Sequence, residues 1–131
     1  MIFKETRLKE LKESYTKTYL KTVSALSNYT NVEIFFGVKN DGSVIGVENI
    51  ENLKLQIENA IADNIKPQPS YYIEELEVNS LNLIRLVILK GDNGPYFYNH
   101  KAYRRFDTST VAVDNEELRR LIMDSEGRTF E

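Results

Sequence analysis

The chain has 131 residues, enough for one domain with a real core and too short for two. It lacks cysteine, which excludes disulfides, thiolate catalysis and cysteine-ligated zinc. A net charge of −3 argues against a wholly basic surface, and no apolar run approaches the length of a membrane span, so a cytoplasmic protein is the expectation.

In chain order, residues 7–13 (Arg-Leu-Lys-Glu-Leu-Lys-Glu) are ambiguous, because Leu8 and Leu11 suit a helix but the run is short. Ser14 or Thr16 is placed to cap a helix whose apolar face is Leu20, Val23 and Ala25 or Leu26, ending near Asn28. Two apolar runs, about 32–39 and 43–47, flank Asp41-Gly42 and predict a hairpin. The glycines at 37, 42 and 46 do not make GxGxxG, and no GK[ST] follows, so no phosphate loop or ATP site is indicated. A second helix is predicted from about Glu51 to Asn64, with Leu53, Ile57, Ala60 and Ile61 on one face. Lys66-Pro67-Gln68-Pro69 stops it.

Strands follow at 71–78 and 83–89, joined by an Asn79-Ser80 turn; the second is nearly all apolar, as in a strand buried on both faces. After the turn at 91–94 comes Pro95-Tyr96-Phe97-Tyr98, and 102–106 reads as another strand. Asp114 or Asn115 caps a last helix through about Met123, with Leu118, Leu121 and Ile122 as its face, and Phe130 reads as the start of a further element. The order predicts an α+β (mixed α/β) fold with a mixed, largely antiparallel sheet, hairpins and about three helices. Residues 1–131 are read as a single domain, a portion of a longer chain.

Charge is unevenly distributed. Residues 1–21 carry a local +3, residues 46–77 a local −5, and residues 85–105 a local +4. Two basic segments far apart in sequence can converge into one patch; the bland alternative is that each is a solvated face. The candidate nucleic-acid-binding residues are Lys9, Lys12, Arg104 and Arg105, flanked by Tyr96, Tyr98 and Tyr103. Lysine and arginine neutralise phosphates, and exposed tyrosines stack on bases at about 1–3 kcal/mol each. The alternative places the tyrosines in the core and pairs the arginines with Glu74, Glu75 or Glu77. Tyr71, Tyr72, Tyr96, Phe97 and Tyr98 also allow a third class, an aromatic patch of a dimerisation or protein-interaction module. His100, the only histidine, lies in a polar turn with no metal-binding partners.

Taken in order, Glu5…Glu10-Leu11-Lys12, Ala25-Leu26-Ser27-Asn28, the run from Gly37 through Asp41-Gly42 to Gly46, Pro95-Tyr96-Phe97, and Tyr103-Arg104-Arg105-Phe106-Asp107-Thr108-Ser109-Thr110 form an ordered set. Together they resemble the Schlafen AlbA-like (divergent AAA) DNA-binding domain. That domain is found at the N-terminus of bacterial transcriptional regulators and RecG-related helicases. Each piece alone is weak; their order and spacing are more specific, and they cover essentially the whole chain. The resemblance implies a nucleic-acid-binding regulatory domain, with DNA or RNA as partner, a homodimer as an open option, and any ATPase or helicase activity elsewhere. Lys12 and Arg105 match the family pattern.

Eukaryotic Schlafen relatives are RNA endonucleases with two glutamates and an aspartate at the acidic site. The resemblance carries this to Glu5 and Glu10, with Asp41 as the third acid and Mg²⁺ or Mn²⁺ as the metal of that alternative. The positions after Gly37-Val38 are Lys39 and Asn40, with Asp41 displaced into the turn. No catalytic residue and no cofactor is therefore assigned to the main reading. Two further departures are that the family's glycine pair before the first hairpin strand is absent at Asn31-Val32, and that Asp107 replaces a glycine.

Overall fold

A computed structural model of the chain describes residues 3–91 and 94–129; the side chains of Leu26 and of residues 125–129 lie outside that description, as does Phe130. The central element is a four-stranded sheet of order β1-β2-β5-β4, built from β1 (Lys9–Lys12), β2 (Val32–Phe36), β4 (Ser70–Val78) and β5 (Leu81–Leu89). β1 runs parallel to β2, and the other neighbours are antiparallel. The 7–13 ambiguity is thus resolved as a strand. Alternation sends Leu11 to one face and Glu10 and Lys12 to the other, a separation no helix would impose.

Helices α1 (Tyr19–Tyr29) and α2 (Ile50–Asn64) cover one face. Tyr19, Leu20 and Val23 of α1 and Leu53, Ile57 and Ile61 of α2 pack with Ile34 and Phe36 of β2 and Ile84, Leu86 and Ile88 of β5. The opposite face holds a smaller cluster of Phe3, Leu11, Phe35, Val38 and Leu83. β5 is accordingly the central, doubly buried strand its composition predicts. α1 begins at Tyr19, after a turn at 17–18, later than a cap at Ser14 or Thr16 would start it. α2 starts where Asn49 accepts a hydrogen bond from the Asn52 amide, and it stops at Asn64 before β3 (Ile65–Lys66).

The predicted hairpin at 32–47 forms only in part. Lys39 and Gly42 close the turn, but the returning limb makes a single bridge, Val38 to Val44. Gly37 (φ +102°) and Gly46 (φ +76°) fold the chain back on itself, with both the Ile45 and Gly46 amides donating to the Gly37 carbonyl. A side chain at Gly37 would meet the Gly46 backbone at 3.1 Å. β2 instead completes its ladder with β5, whose apolar run is the better partner.

Beyond the sheet, β3 pairs with β6 (Phe97–Tyr98), and β7 (Tyr103–Phe106) pairs with β8 (Ser109–Ala112). β8 was not expected from its Ser-Thr content. Its partner is fixed by the tight turn at Asp107, which adopts φ +54°, a conformation that suits the glycine it replaces. α3 (Asn115–Thr129) begins where Asp114 accepts from the Glu117 amide at 2.8 Å. The fold is α+β with a mostly antiparallel sheet, as expected. No helix among the described residues is long and apolar enough to cross a membrane.

Candidate nucleic-acid interface

Where β1, the start of α1 and the β7–β8 hairpin meet, they enclose an open hollow of about 340 Å³. Glu5, Glu10 and Lys12 line it from the first segment, Lys21 and Thr22 from α1, Arg105 and Thr110 from the hairpin, and Asn40 from the turn. The two basic segments of the sequence do converge, with acids set among them.

The hollow is organised around one ion-pair cluster. Arg105 Nη1 donates to Glu10 Oε1 at 3.0 Å, and Nη2 lies 3.5 Å from Glu5 Oε1. The same guanidinium donates to Thr110 Oγ1 at 3.2 Å and to the Thr6 carbonyl at 3.3 Å. Thr22 donates to Glu10 Oε1 at 2.8 Å. The side chains of Arg105 and Glu10 are only 4% and 9% exposed. Two of their atoms, Glu10 Oε2 and Arg105 Nε, are buried with no hydrogen-bond partner among the described residues. Burial pushes the Glu10 carboxyl above its usual range, and Lys12, Thr22 and Arg105 offset this only in part.

Two lysines are differently placed. Lys12 is half-buried and donates from Nζ to Thr18 Oγ1 at 2.8 Å. Lys21 is exposed, with Nζ 6.0 Å from the centroid of the Tyr103 ring. Neither is in an ion pair among the described residues, so both are available to an incoming anion.

The remaining candidates are dispersed. Lys9 sits on the opposite face of β1 from Lys12, with Nζ over the Phe35 ring at 5.6 Å, and does not reach the hollow. Arg104 lies 3.4 Å from Glu117 and lines a neighbouring hollow of about 170 Å³ with Arg7, Tyr29 and Thr30. Burial, together with the hydrogen bond that Tyr29 donates to Glu117, pushes the Tyr29 phenol up.

The tyrosines correct the base-stacking expectation. Tyr96 is 2% exposed and Tyr103 8%, both within the main core. Tyr96 is anchored by Asn28, whose side chain accepts from its amide at 2.6 Å, and by Ser24 and Asn28 donating to its carbonyl. Its ring also packs against Gly91, where an added Cβ would lie 1.8 Å from the phenol oxygen. The contiguous aromatic patch is likewise absent: Tyr72 is 44% exposed, whereas Tyr71 and Tyr98 pack against the core. The arginines are paired, as the alternative anticipated, but mostly with other acids. Arg105 takes Glu5 and Glu10, Arg104 takes Glu117, and it is Arg85 that takes Glu74, together with Glu33.

Glu5 and Glu10 share the hollow, but Asp41 does not join them. Its carboxylate accepts from the Ser43 amide and hydroxyl inside the turn, and those bonds lower its pKa. Asn40 faces the hollow in its place. Among the described residues no group of three or more acids or histidines is placed to hold a metal ion. With a guanidinium between Glu5 and Glu10, the residues present do not fit a divalent cation. His100 is exposed in a turn, as expected. Lys21, Thr22 and Thr110 were missed as individual site residues. Lys21 contributed only to the segment's net charge, although Lys17 and Lys21 at helical spacing already marked a basic face.

A family model described as Schlafen, AlbA_2 matches residues 3–114. No curated protein matches the chain. Among solved structures, the N-terminal domain of a RecG-related protein from Nitrosomonas europaea, named as a candidate ATP-dependent DNA helicase, superposes with a TM-score of 0.62 at 16% identity, covering 82% of this chain and 83% of that one. The DIP2311 protein from Corynebacterium diphtheriae superposes with a TM-score of 0.61 at 17% identity, over 88% of this chain. The match spans 23% of the Corynebacterium chain. At such identities the likeness is one of fold.

Proposed function

This chain belongs to the Schlafen AlbA_2 family, and from that premise we propose that it is a nucleic-acid-binding regulatory domain with no catalytic activity of its own. The observation that carries the reading is the hollow itself. Lys12 and Lys21, neither in a salt bridge among the described residues, flank a buried Arg105, so the lining has one more cation than Glu5 and Glu10 neutralise. Thr108, Thr110 and Asn40 add hydroxyl and amide groups suited to phosphate oxygens.

The dimensions suit a single phosphate contact. A hollow of about 340 Å³ is at the small end of ligand-sized sites. It accommodates a phosphate and part of its nucleotide, from a single strand or from one backbone of a duplex. DNA binding within a transcriptional regulator or a RecG-related protein, in the cytoplasm, is the setting proposed for it. An active Mg²⁺- or Mn²⁺-dependent endonuclease is the weaker reading, because Arg105 sits between the two glutamates and Asn40 stands where a third acid is needed.

The test is binding of single-stranded DNA, single-stranded RNA and duplex DNA across a salt series, comparing the native protein with Lys12→Ala and Lys21→Ala. We expect weak binding that falls steeply with salt and weakens in both variants. Absence of binding to every probe at low salt by the folded protein would sink the proposal.

A further inference from the structure

We infer that the Arg105 guanidinium is a built-in cation occupying the seat that a divalent metal would take between Glu5 and Glu10, so that the hollow receives a phosphate group without a bridging metal. The identity of the anion rests on the nucleic-acid reading above; the cation seat does not.

Two carboxylates converging on one point in a partly buried site need a positive charge between them. Without one, the like charges repel in a medium that screens them poorly. A divalent ion meets that need in many oxygen-lined sites. Here the charge comes from the opposite end of the chain. Arg105 Nη1 reaches Glu10 at 3.0 Å and Nη2 reaches Glu5 at 3.5 Å, one amino group to each carboxylate. Thr110 and the Thr6 carbonyl fix the plane of the guanidinium, and the side chain is 4% exposed. An ion entering this position would have to expel a buried, four-partnered side chain.

The residues around the pair point to an anion rather than a cation. Lys12 and Lys21 flank it and would repel a metal. Asn40 offers a neutral amide at the rim, and Asp41 is held in its turn by Ser43. Arg105 Nε and Glu10 Oε2, a donor and an acceptor both buried with no hydrogen-bond partner among the described residues, balance each other, so the preference for an anion comes from the lysines at the rim. Lys12, Lys21 and the threonine hydroxyls supply what one phosphate group needs at its oxygens, with Arg105 adding positive potential beneath them.

The test separates the cation seat from nucleic-acid binding. Mn²⁺ uptake is followed by loss of the free-ion paramagnetic resonance signal, with no nucleic acid present, for the native protein, Glu10→Gln, Asn40→Asp and Asn40→Asp/Arg105→Gln. The native protein and Asn40→Asp should take up no more Mn²⁺ than Glu10→Gln, because Arg105 still fills the seat. The double variant, once circular dichroism shows it folded, should bind Mn²⁺ at least tenfold more tightly than Asn40→Asp. Stoichiometric Mn²⁺ binding by the native protein that Glu10→Gln abolishes would overturn the inference. So would a gain of binding in Asn40→Asp alone, or no gain in a folded double variant. If the double variant does not fold, the native and Asn40→Asp measurements decide by themselves.

In parallel, a 5′-phosphorylated single-stranded oligonucleotide is titrated in EDTA and in Mn²⁺. At matched ionic strength the affinity in Mn²⁺ should exceed that in EDTA by no more than about twofold, and an affinity that requires Mn²⁺ would overturn the metal-independent seat. Failure of the oligonucleotide to bind under either condition would remove the nucleic-acid reading and the phosphate assignment, while leaving the cation seat to stand on the Mn²⁺ result.

Discussion

Replacing Arg105 with methionine keeps most of the side chain's volume and removes its charge. The loss is worked from its contacts: Glu10 at 3.0 Å, Glu5 at 3.5 Å, Thr110 at 3.2 Å and the Thr6 carbonyl at 3.3 Å, all from a side chain 4% exposed. Glu5 is partly exposed and can turn towards water, but Glu10 is not. Removing one partner of a buried pair costs about 3–5 kcal/mol, chiefly because the other charge is left uncompensated. Glu10 has an escape, since burial already raises its pKa and loss of Arg105 raises it further. A carboxyl whose pKa is raised on folding favours the folded state fully below its unfolded value and loses that contribution as pH rises through the folded value. The penalty of Arg105→Met is therefore largest in mild alkali and shrinks in acid. We expect about 3 kcal/mol at pH 8 and clearly less at pH 5. In urea denaturation, with a slope of about 1–3 kcal/mol per molar, this lowers the midpoint by roughly 1–3 M. Arg105→Met/Glu10→Leu, which removes both charges, should recover most of the loss. A penalty under about 1 kcal/mol at pH 8, or a double variant no more stable than the single one, would refute the buried-pair argument.

Arg85 provides the contrast: it pairs with Glu33 at 2.5 Å and Glu74 at 2.9 Å but is 25% exposed, so Arg85→Met should cost no more than about 1 kcal/mol in the same assay. Gly42→Ala should destabilise by about 1–3 kcal/mol in urea denaturation, because residue 42 adopts φ +91° and an added Cβ would lie 2.3 Å from the Phe3 carbonyl oxygen. Asn49→Ala should cost about 1 kcal/mol through loss of the cap on α2, read as a lower melting temperature. In binding titrations, Lys12→Ala and Lys21→Ala should each reduce the slope of log affinity against log salt by about one, whereas Lys9→Ala, on the other face of β1, should leave it nearly unchanged.

Much of the fold was legible because its signals are local. The period of Leu53, Ile57 and Ile61 marks α2, the apolar run at 83–88 marks the central strand, and Asn79-Ser80, with φ +51° and +66°, marks the β4–β5 turn. Legibility failed where neighbours decide the outcome. Residues 9–12 become a strand because β2 offers a parallel edge, and 109–112 become one because 103–106 lie opposite. Among the candidate site residues, charge and family pattern singled out Lys12, which lines the hollow. The burial of Tyr96 and Tyr103 was not legible, because an aromatic side chain reads the same in a sequence whether it lines a core or a surface.

By itself, the sequence determined the α+β class, most helices and strands, the absence of thiol chemistry, and the family. Each of these follows from short-range periodicity, composition, or motifs in a set order. Only the tertiary structure decided what the charged residues do. Glu10 and Arg105 are 95 positions apart, and nothing local to either specifies that one neutralises the other. Burial and distance set that pairing, and they exist only once β1, α1 and the β7–β8 hairpin have packed together. The same packing leaves Lys12 and Lys21 outside any salt bridge among the described residues, so the hollow carries three cationic side chains against two carboxylates.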